Sequence, residues 1–143
     1  MSKIMALDLG DRWIGTALSD ASRMFCRPFM TVEKKDLENF LSKTIQQERI
    51  TTIVVGYPKT LKGTHSKQTD ATVSFQEKLA LIFPQITWVL WDERLTSKQA
   101  QTIHNSKTDK QKVHSIAAAL ILESYLMHLE IQSQKESTEL LDE

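Results

Sequence analysis

The chain has 143 residues, of which 41% are hydrophobic, with 18 acidic and 18 basic residues and a single cysteine. This length fits one ordinary domain with a substantial core better than two domains. One cysteine excludes an internal disulfide, which favours a reducing, cytoplasmic environment. The opening apolar stretch is short and is broken by Asp8, and no other segment approaches the length of a membrane span, so we expect neither a secretory signal nor a membrane protein.

Acidic residues are concentrated near the C-terminal end. Residues 130–143 hold five of the 18 acidic residues and one of the 18 basic residues, so the rest of the chain carries a formal charge of +4. We predict a mildly basic domain over residues 1–131 and a polar, acidic, frayed tail over residues 132–143. A basic body can bind phosphates, but on charge alone an ordinary solvated surface is the favoured interpretation.

The N-terminal part of the chain predicts an antiparallel meander of three strands. Residues 4–7 form a short apolar run, which is typical of a strand buried on both faces. After a tight turn, residues 13–19 continue as a second strand, in which Gly15 indicates close approach of another backbone or of a ligand. Residues 25–32 predict a third strand, and Pro28 favours an edge position for it.

The remainder predicts helices that alternate with strands. Apolar residues recur at helical spacing in some segments, and β-branched or apolar runs mark others. The predicted helices are 36–48, 67–83, 97–104 and 113–131, and the predicted strands are 51–55 and 86–90. Because these two strands alternate with helices, we expect them to be parallel. The predicted fold is therefore α/β, a mixed five-stranded sheet of three antiparallel strands and then two parallel strands, flanked by helices.

Asp8 is the first candidate for chemistry, in a D-x-G-x-x-x-x-G segment that spans residues 8–15. An acidic residue at the carboxyl end of a central strand faces the crevice where ligands bind in open α/β sheets. Gly10 lets the backbone turn sharply beside it. Taken alone, the triplet is better explained as a polar residue that merely ends a strand.

Glu93 is the second candidate, because it follows the predicted strand 86–90 and should lie on the same rim as Asp8. Two converging carboxylates repel each other unless a cation lies between them. Oxygen ligands of this kind suit Mg²⁺ or Mn²⁺. The alternatives are a salt bridge from Asp92 or Glu93 to Arg94, or an ordinary solvated turn.

The loop over residues 56–67 is a candidate grip for a phosphate backbone. Lys59, Lys62 and Lys67 supply cations, and the loop leads into a helix N-terminus, which attracts anions. The G-K-[ST] ending of a Walker loop is missing, so this is not a nucleotide P-loop. An ordinary solvated loop is an equally good interpretation.

His114 lies near the start of the last predicted helix. It shares one helix face with Ala117, Ala118 and Ile121, so we expect it to point inward. A single inward histidine is more often a core residue than a ligand. Here it should lie where two carboxylates converge, so both readings stay open.

These segments together resemble the YqgF/RuvX family, which is related to Holliday-junction resolvases and has the ribonuclease-H-like fold. The resemblance runs over residues 3–129, with matching stretches at 8–20, 56–63, 92–97 and 115–125. It implies a nuclease that acts on structured nucleic acid, with the trimming of the 5′ end of precursor 16S ribosomal RNA as the main expectation. Holliday-junction resolution is the alternative.

The resemblance also implies roles for individual residues. Asp8 and Glu93 would be metal-binding catalytic carboxylates. The family has a third acidic residue at the start of the last helix, where this chain has His114. Neutral imidazole is a poorer ligand for Mg²⁺ and suits softer metals, so His114 would bind Mn²⁺ or act as a general base.

The expected reaction is phosphodiester hydrolysis by water with one or two Mg²⁺ or Mn²⁺ ions. Lys59, Lys62 and Lys67 would hold the nucleic-acid backbone, and Arg94 would stabilise developing charge on the phosphate. Two other interpretations stay open. One is a nucleic-acid-binding protein that the change at His114 has disabled. The other is a sugar-kinase-like or actin-like nucleotide binder, which needs two lobes and therefore more than one such chain.

The oligomeric state is open between monomer and homodimer. Symmetric cleavage of a junction would need a dimer.

Overall fold

The computed structural model describes residues 2–57, 67–92 and 110–141. Its strands are β1 (Lys3–Leu9), β2 (Trp13–Ser19), β3 (Cys26–Glu33), β4 (Ile50–Tyr57) and β5 (Thr87–Asp92). Its described helices are α1 (Leu37–Gln47), α2 (Lys67–Ile82) and α3 (Lys110–Leu141), with a short 3-10 turn at Lys34–Asp36 before α1. The helix predicted over residues 97–104 and most of the predicted phosphate loop lie outside the described residues.

The five strands form one mixed sheet in the order β3-β2-β1-β4-β5. β1 is antiparallel to β2, and β2 is antiparallel to β3, so the predicted meander is confirmed. β4 is parallel to β1, and β5 is parallel to β4. This topology places β1 at the centre of the sheet and brings the carboxyl ends of β1, β4 and β5 to the same edge.

Both faces of the sheet are covered, which explains the continuous apolar run in β1. Met5 and Leu7 belong to a core cluster with residues of α1 and α2, whereas Ile4 and Ala6 belong to a second cluster with residues of α3. All four are essentially inaccessible to solvent. Successive side chains of a strand point to opposite faces, so Asp8 continues the Ile4–Ala6 row and faces α3.

β3 is an edge strand, as Pro28 indicated, because a proline has no N–H to donate to a further strand. The ladder between β2 and β3 shifts register between Gly15 and Ala17. At this irregularity the Thr16 side chain takes the place of a strand partner for the Met30 backbone. Its Oγ1 donates to the carbonyl oxygen of Met30 at 2.7 Å and accepts from the Met30 N–H at 3.0 Å.

The last helix differs from the prediction, because α3 begins at Lys110 and runs to Leu141 where a frayed tail was expected after residue 131. Residues 130–140 are all exposed, so packing does not explain their helicity. They are rich in good helix formers such as Glu, Gln, Lys and Leu, and extending an existing helix costs far less than nucleating one. Among the described helices, none is both long and apolar enough to cross a membrane.

Candidate active site

Asp8 lies near the carboxyl end of the central strand, between two glycines. Its neighbour on β2 is Gly15 and its neighbour on β4 is Gly56. Gly10 follows two residues later, so three of the four glycines of the chain surround this carboxylate. The absence of side chains at these positions leaves the Asp8 carboxylate open to helix α3.

Gly15 is the point at which α3 meets the sheet. A Cβ atom added to Gly15 would lie 1.9 Å from the carbonyl oxygen of His114 and 2.6 Å from the amide nitrogen of Ser115. Real Cβ atoms do not approach that closely, so only glycine allows the helix backbone to rest on β2 here. The close approach predicted at this glycine is therefore that of a backbone, and its consequence is to fix His114.

His114 is the residue that α3 brings to Asp8. Its Nδ1 atom lies 3.4 Å from Oδ2 of Asp8, and the two side chains are 29% and 18% exposed. Gly10 also lies beside this ring: an added Cβ there would lie 3.2 Å from Cε1 of His114 and 2.6 Å from the carbonyl oxygen of Trp13. Gly10 is thus required for space, whereas the sequence suggested only a sharp turn.

The interaction with Asp8 changes the acid–base behaviour of His114. The hydrogen bond with Asp8 raises the pKa of His114 above its ordinary value of 6.5, partial burial opposes this, and the negative charge of Asp8 adds to the increase. Without a metal, the pair therefore favours an imidazolium that donates a hydrogen bond to the carboxylate. A cation that used both side chains as ligands would have to displace that proton.

The end of β5 lies on the same edge of the sheet as Asp8. Gly56 of β4 pairs with both Asp8 and Trp91, and Asp92 is one residue further along β5. Trp91 faces α3, as Asp8 does: its indole lies edge-on to Tyr125, with ring centroids 5.4 Å apart, and its Nε1 donates to Ser124 at 3.1 Å. The strand that leads into Glu93 therefore ends at the predicted edge of the sheet, at Asp92 rather than at residue 90. Glu93 itself lies outside the described residues.

Asp8 and His114 could contribute two ligands to a metal site. Within residues 2–57, 67–92 and 110–141, no group of three histidine, cysteine or acidic side chains could hold an ion. Asp8 and His114 offer one carboxylate and one imidazole at 3.4 Å, which fits a divalent cation if a further ligand joins them. The mixed oxygen and nitrogen set suits Mn²⁺ better than Mg²⁺.

The structure also shows neighbours of the site that were not predicted from the sequence. Arg12 and Trp13 follow the Asp8–Gly10 turn, and Glu33 of β3 pairs with Trp13 across the sheet. For Arg12 and Trp13, the sequence signal was their position between Gly10 and Gly15 of the D-x-G-x-x-x-x-G segment. Of the predicted nucleic-acid contacts, Lys67 is the first residue of α2, and its side chain is outside the described part. The other predicted contacts, Lys59, Lys62 and Arg94, also lie outside it.

Solved structures place the fold in a class. RuvC of T. thermophilus, solved in complex with a Holliday junction substrate, superposes with a TM-score of 0.58 at 10% identity, covering 90% of this chain and 96% of that one. The yeast mitochondrial Holliday junction resolvase gives 0.55 at 10% identity, covering 87% and 78%. At this identity the likeness establishes the fold alone. The chain has the ribonuclease-H-like fold of these resolvases, as predicted.

Sequence relatives then give the family. The family model RuvX, described as a Holliday junction resolvase, matches residues 2–128. A protein of Thermoanaerobacter pseudethanolicus named "Putative pre-16S rRNA nuclease" is 37% identical over 134 residues, covering 87% of this chain and 95% of that protein. A protein of the same name from Rubrobacter xylanophilus is 33% identical, covering 87% and 91%. The chain belongs to the RuvX family, which confirms the resemblance found in its motifs.

Proposed function

We propose that this chain is a cytoplasmic, divalent-metal-dependent nuclease that hydrolyses phosphodiester bonds of structured nucleic acid, with the 5′ end of precursor 16S ribosomal RNA as its substrate. Support comes from the named relatives and from one observation in particular. The Asp8 carboxylate stands at the carboxyl end of the central strand, with His114 placed 3.4 Å away by a helix that crosses a glycine. Crevices at such strand ends are where open α/β sheets bind their ligands.

The proposed ligands of the cation are Asp8, Glu93 and His114. Nucleases and resolvases of this family use divalent metals, and the finer proposal here is Mg²⁺ or Mn²⁺. When bound, the cation supplies Lewis-acid stabilisation of charge on the phosphate. Asp8 is fixed by its two strand neighbours on β2 and β4, so it needs little rearrangement to act as a ligand.

The position of His114 beside Asp8 is compatible with two roles. As a neutral imidazole it is a ligand for a cation shared with Asp8. In the alternative it accepts a proton from the attacking water, with Asp8 holding the ring in place through the 3.4 Å contact. The substitution His114→Asp separates the two roles. A carboxylate, as in the family pattern, can replace His114 as a metal ligand. It cannot replace His114 as a general base of raised pKa.

Substrate binding is assigned to basic residues around the site. We propose that Lys59, Lys62 and Lys67 contact the phosphate backbone and that Arg94 stabilises charge that develops on the phosphate. These contacts would fix the position of the strand and would carry no sequence information.

The proposal is tested by a cleavage assay on three substrates: precursor 16S ribosomal RNA, an unstructured single-stranded RNA and a four-way DNA junction. We expect Mn²⁺- or Mg²⁺-dependent cleavage of the precursor. Asp8→Asn should remove it, and Asp11→Asn should retain it, because Asp11 is an exposed carboxylate three residues away. Equal cleavage by the wild type and Asp8→Asn would contradict the assignment.

Holliday-junction resolution is the second candidate, favoured by the description of the matching family model. Resolution requires two symmetric cuts and therefore two active sites in one assembly. Paired nicks in the four-way junction by a dimeric protein would support it. A monomer that cleaves only the RNA would favour processing.

A further inference from the structure

A surface of mixed aromatic and charged character adjoins the Asp8–His114 pair. We call it the turn patch, and it consists of Arg12, Trp13, Glu33 and Lys35. The Gly10 N–H donates to the carbonyl oxygen of Trp13 at 3.0 Å, which closes the turn after Asp8. A Cβ atom added to Gly10 would lie 2.6 Å from that carbonyl oxygen and 3.2 Å from Cε1 of the His114 ring. The turn patch therefore begins directly beside the proposed catalytic pair.

Two residues of the turn patch, Trp13 and Glu33, lie on the same face of the sheet as Asp8. Asp8 pairs with Gly15 on β2, and Trp13 is two residues from Gly15, so their side chains share a face. Trp13 in turn pairs with Glu33 on β3. The Lys34 N–H donates to the carbonyl oxygen of Arg12 at 2.8 Å, which ties the turn to the end of the edge strand. The surface thus runs from Asp8 across β2 to the edge of the sheet.

The charges of the turn patch are not mutually neutralised. Arg12 and Lys35 both lie near the Glu33 carboxylate, at 3.9 and 3.6 Å. Their side chains are 73% and 74% exposed, whereas that of Glu33 is 27% exposed. Two cations share one carboxylate, and exposed pairs this long contribute little to stability. Within the turn patch the two exposed cations therefore outnumber the one carboxylate, while the exposed Asp11 lies next to Arg12 in the same turn.

Trp13 differs from the other two tryptophans of the chain. Trp88 donates its indole N–H to the Phe83 carbonyl at 3.3 Å, and Trp91 donates to Ser124. Among the residues that the structure describes, the Trp13 indole N–H has no such partner, and its ring is only partly buried. The Arg12 guanidinium carbon lies 5.3 Å from the centroid of the Trp13 ring. When the exposed Arg12 side chain turns toward a phosphate, the indole face that it covers becomes available for a planar base to stack on.

We propose that the turn patch binds an unpaired, single-stranded segment of nucleic acid next to the cleaved bond, with a base stacked at Trp13 and phosphates held by Arg12 and Lys35. Proteins that bind single strands combine cations that follow the backbone with aromatic rings that stack on bases. A duplex keeps the faces of its bases stacked on each other, so this surface selects unpaired nucleotides. The inference rests on the proposed nuclease function and names the part of the substrate that its site receives.

The test measures binding by fluorescence anisotropy without divalent metal, so that no cleavage occurs. The labelled probes are a single-stranded RNA, a single-stranded DNA of the same sequence and a blunt duplex. We expect Arg12→Ala and Trp13→Ala each to weaken single-strand binding about tenfold, and duplex binding less than about twofold. Arg12→Ala should also lower the slope of log affinity against log salt by about 0.7, the loss of one phosphate contact. The RNA and DNA probes then show which strand chemistry is preferred.

Matched controls exist elsewhere on the chain. Arg27 lies 5.6 Å from the ring of Phe29 at the far end of β3, so Arg27→Ala removes an arginine-on-aromatic pair away from the site. It should leave all three affinities unchanged. Glu33→Gln frees both cations and should tighten single-strand binding severalfold, which an ion pair of purely structural value would not do.

Trp13 offers a second readout that does not depend on a large truncation. A base stacked on an indole quenches its fluorescence, so Trp13→Phe should remove the quenching that a single strand causes, and Trp88→Phe should keep it. Thermal unfolding checks that each variant is folded. Single-strand binding and quenching that persist in folded Arg12 and Trp13 variants would overturn the inference, as would equal losses for the duplex.

The same proteins also separate this inference from the proposed function. Cleavage is measured afterwards with Mn²⁺ added. A wild type that cleaves no substrate, but binds single strands through Arg12 and Trp13, contradicts the nuclease and leaves the turn patch standing. A wild type that cleaves, with binding indifferent to both variants, contradicts the turn patch alone.

Discussion

Nδ1 of His114 lies 3.4 Å from Oδ2 of Asp8, although the two residues are 106 positions apart in the chain. The contact exists because α3 rests its backbone on Gly15, the strand neighbour of Asp8. A glycine in the second strand therefore decides where a side chain of the last helix is held. The proposed chemistry depends on this relationship.

Gly15→Ala should displace the start of α3. The added methyl group would lie 1.9 Å from the His114 carbonyl oxygen, and backbone on both sides leaves it no room. We expect a loss of about 3 kcal/mol in the free energy of unfolding, measured with urea. Gln46→Ala, on the exposed side of α1, is the control and should change it by less than about 0.5 kcal/mol. A Gly15→Ala protein as stable as the wild type would show that α3 does not rest on β2.

The metal-free stability should depend on pH through His114. Its pKa is raised in the folded chain above 6.5, so the stabilisation by Asp8 is fully present below pH 6.5 and is lost as the pH rises through the folded pKa. Urea unfolding of the wild type and Asp8→Asn in a chelator should therefore differ most at about pH 5.5 to 6.5. The two proteins should converge at alkaline pH. A difference that grows with pH would contradict the contact.

Cys26 should react slowly with thiol reagents. Burial, followed by the negative charges of Glu123 and Asp20, raises the pKa of its thiol to about 11, and its Sγ donates to the Ala119 carbonyl oxygen at 3.4 Å. The thiolate is the reactive form, so alkylation at pH 8 should be far slower in the folded chain than in urea. Equal rates would show that this thiol is not protected by α3.

Removal of residues 132–143 should leave the domain folded. The described part of this segment is helical but exposed, so deletion removes little buried apolar surface. We expect the urea midpoint of the truncated chain to match that of the full chain, with cleavage retained. A large drop in the midpoint would show that the domain predicted over residues 1–131 is not independent.

The five strands and their mixed antiparallel and parallel arrangement were predictable from the sequence because their signals are local. A buried apolar run in β1, Pro28 in β3 and β-branched runs that alternate with helices each follow from strand geometry alone. The length of α3 was not predictable in this way, since exposed helix formers after residue 131 continue a helix without any apolar pattern.

The candidate site was predicted only in part. Asp8 and His114 were selected because each lies at the end of a recognisable element, and the structure brings them together. Arg12 and Trp13 were missed, because a tryptophan beside a strand is usually a core residue. The position of Trp13 beside the site follows only from the structure, in which Trp13 pairs with Glu33 and Arg12 lies over its ring.

The most direct test of the central claim, that Asp8 anchors a metal-dependent nuclease site, is the single-turnover rate of precursor 16S ribosomal RNA cleavage against Mn²⁺ concentration. The wild type and Asp11→Asn should show the same saturable dependence on Mn²⁺. Thermal unfolding checks that Asp8→Asn is folded. Its cleavage rate should be lower by at least about 100-fold at every Mn²⁺ concentration. An Asp8→Asn protein with the wild-type rate and metal dependence would contradict the assignment.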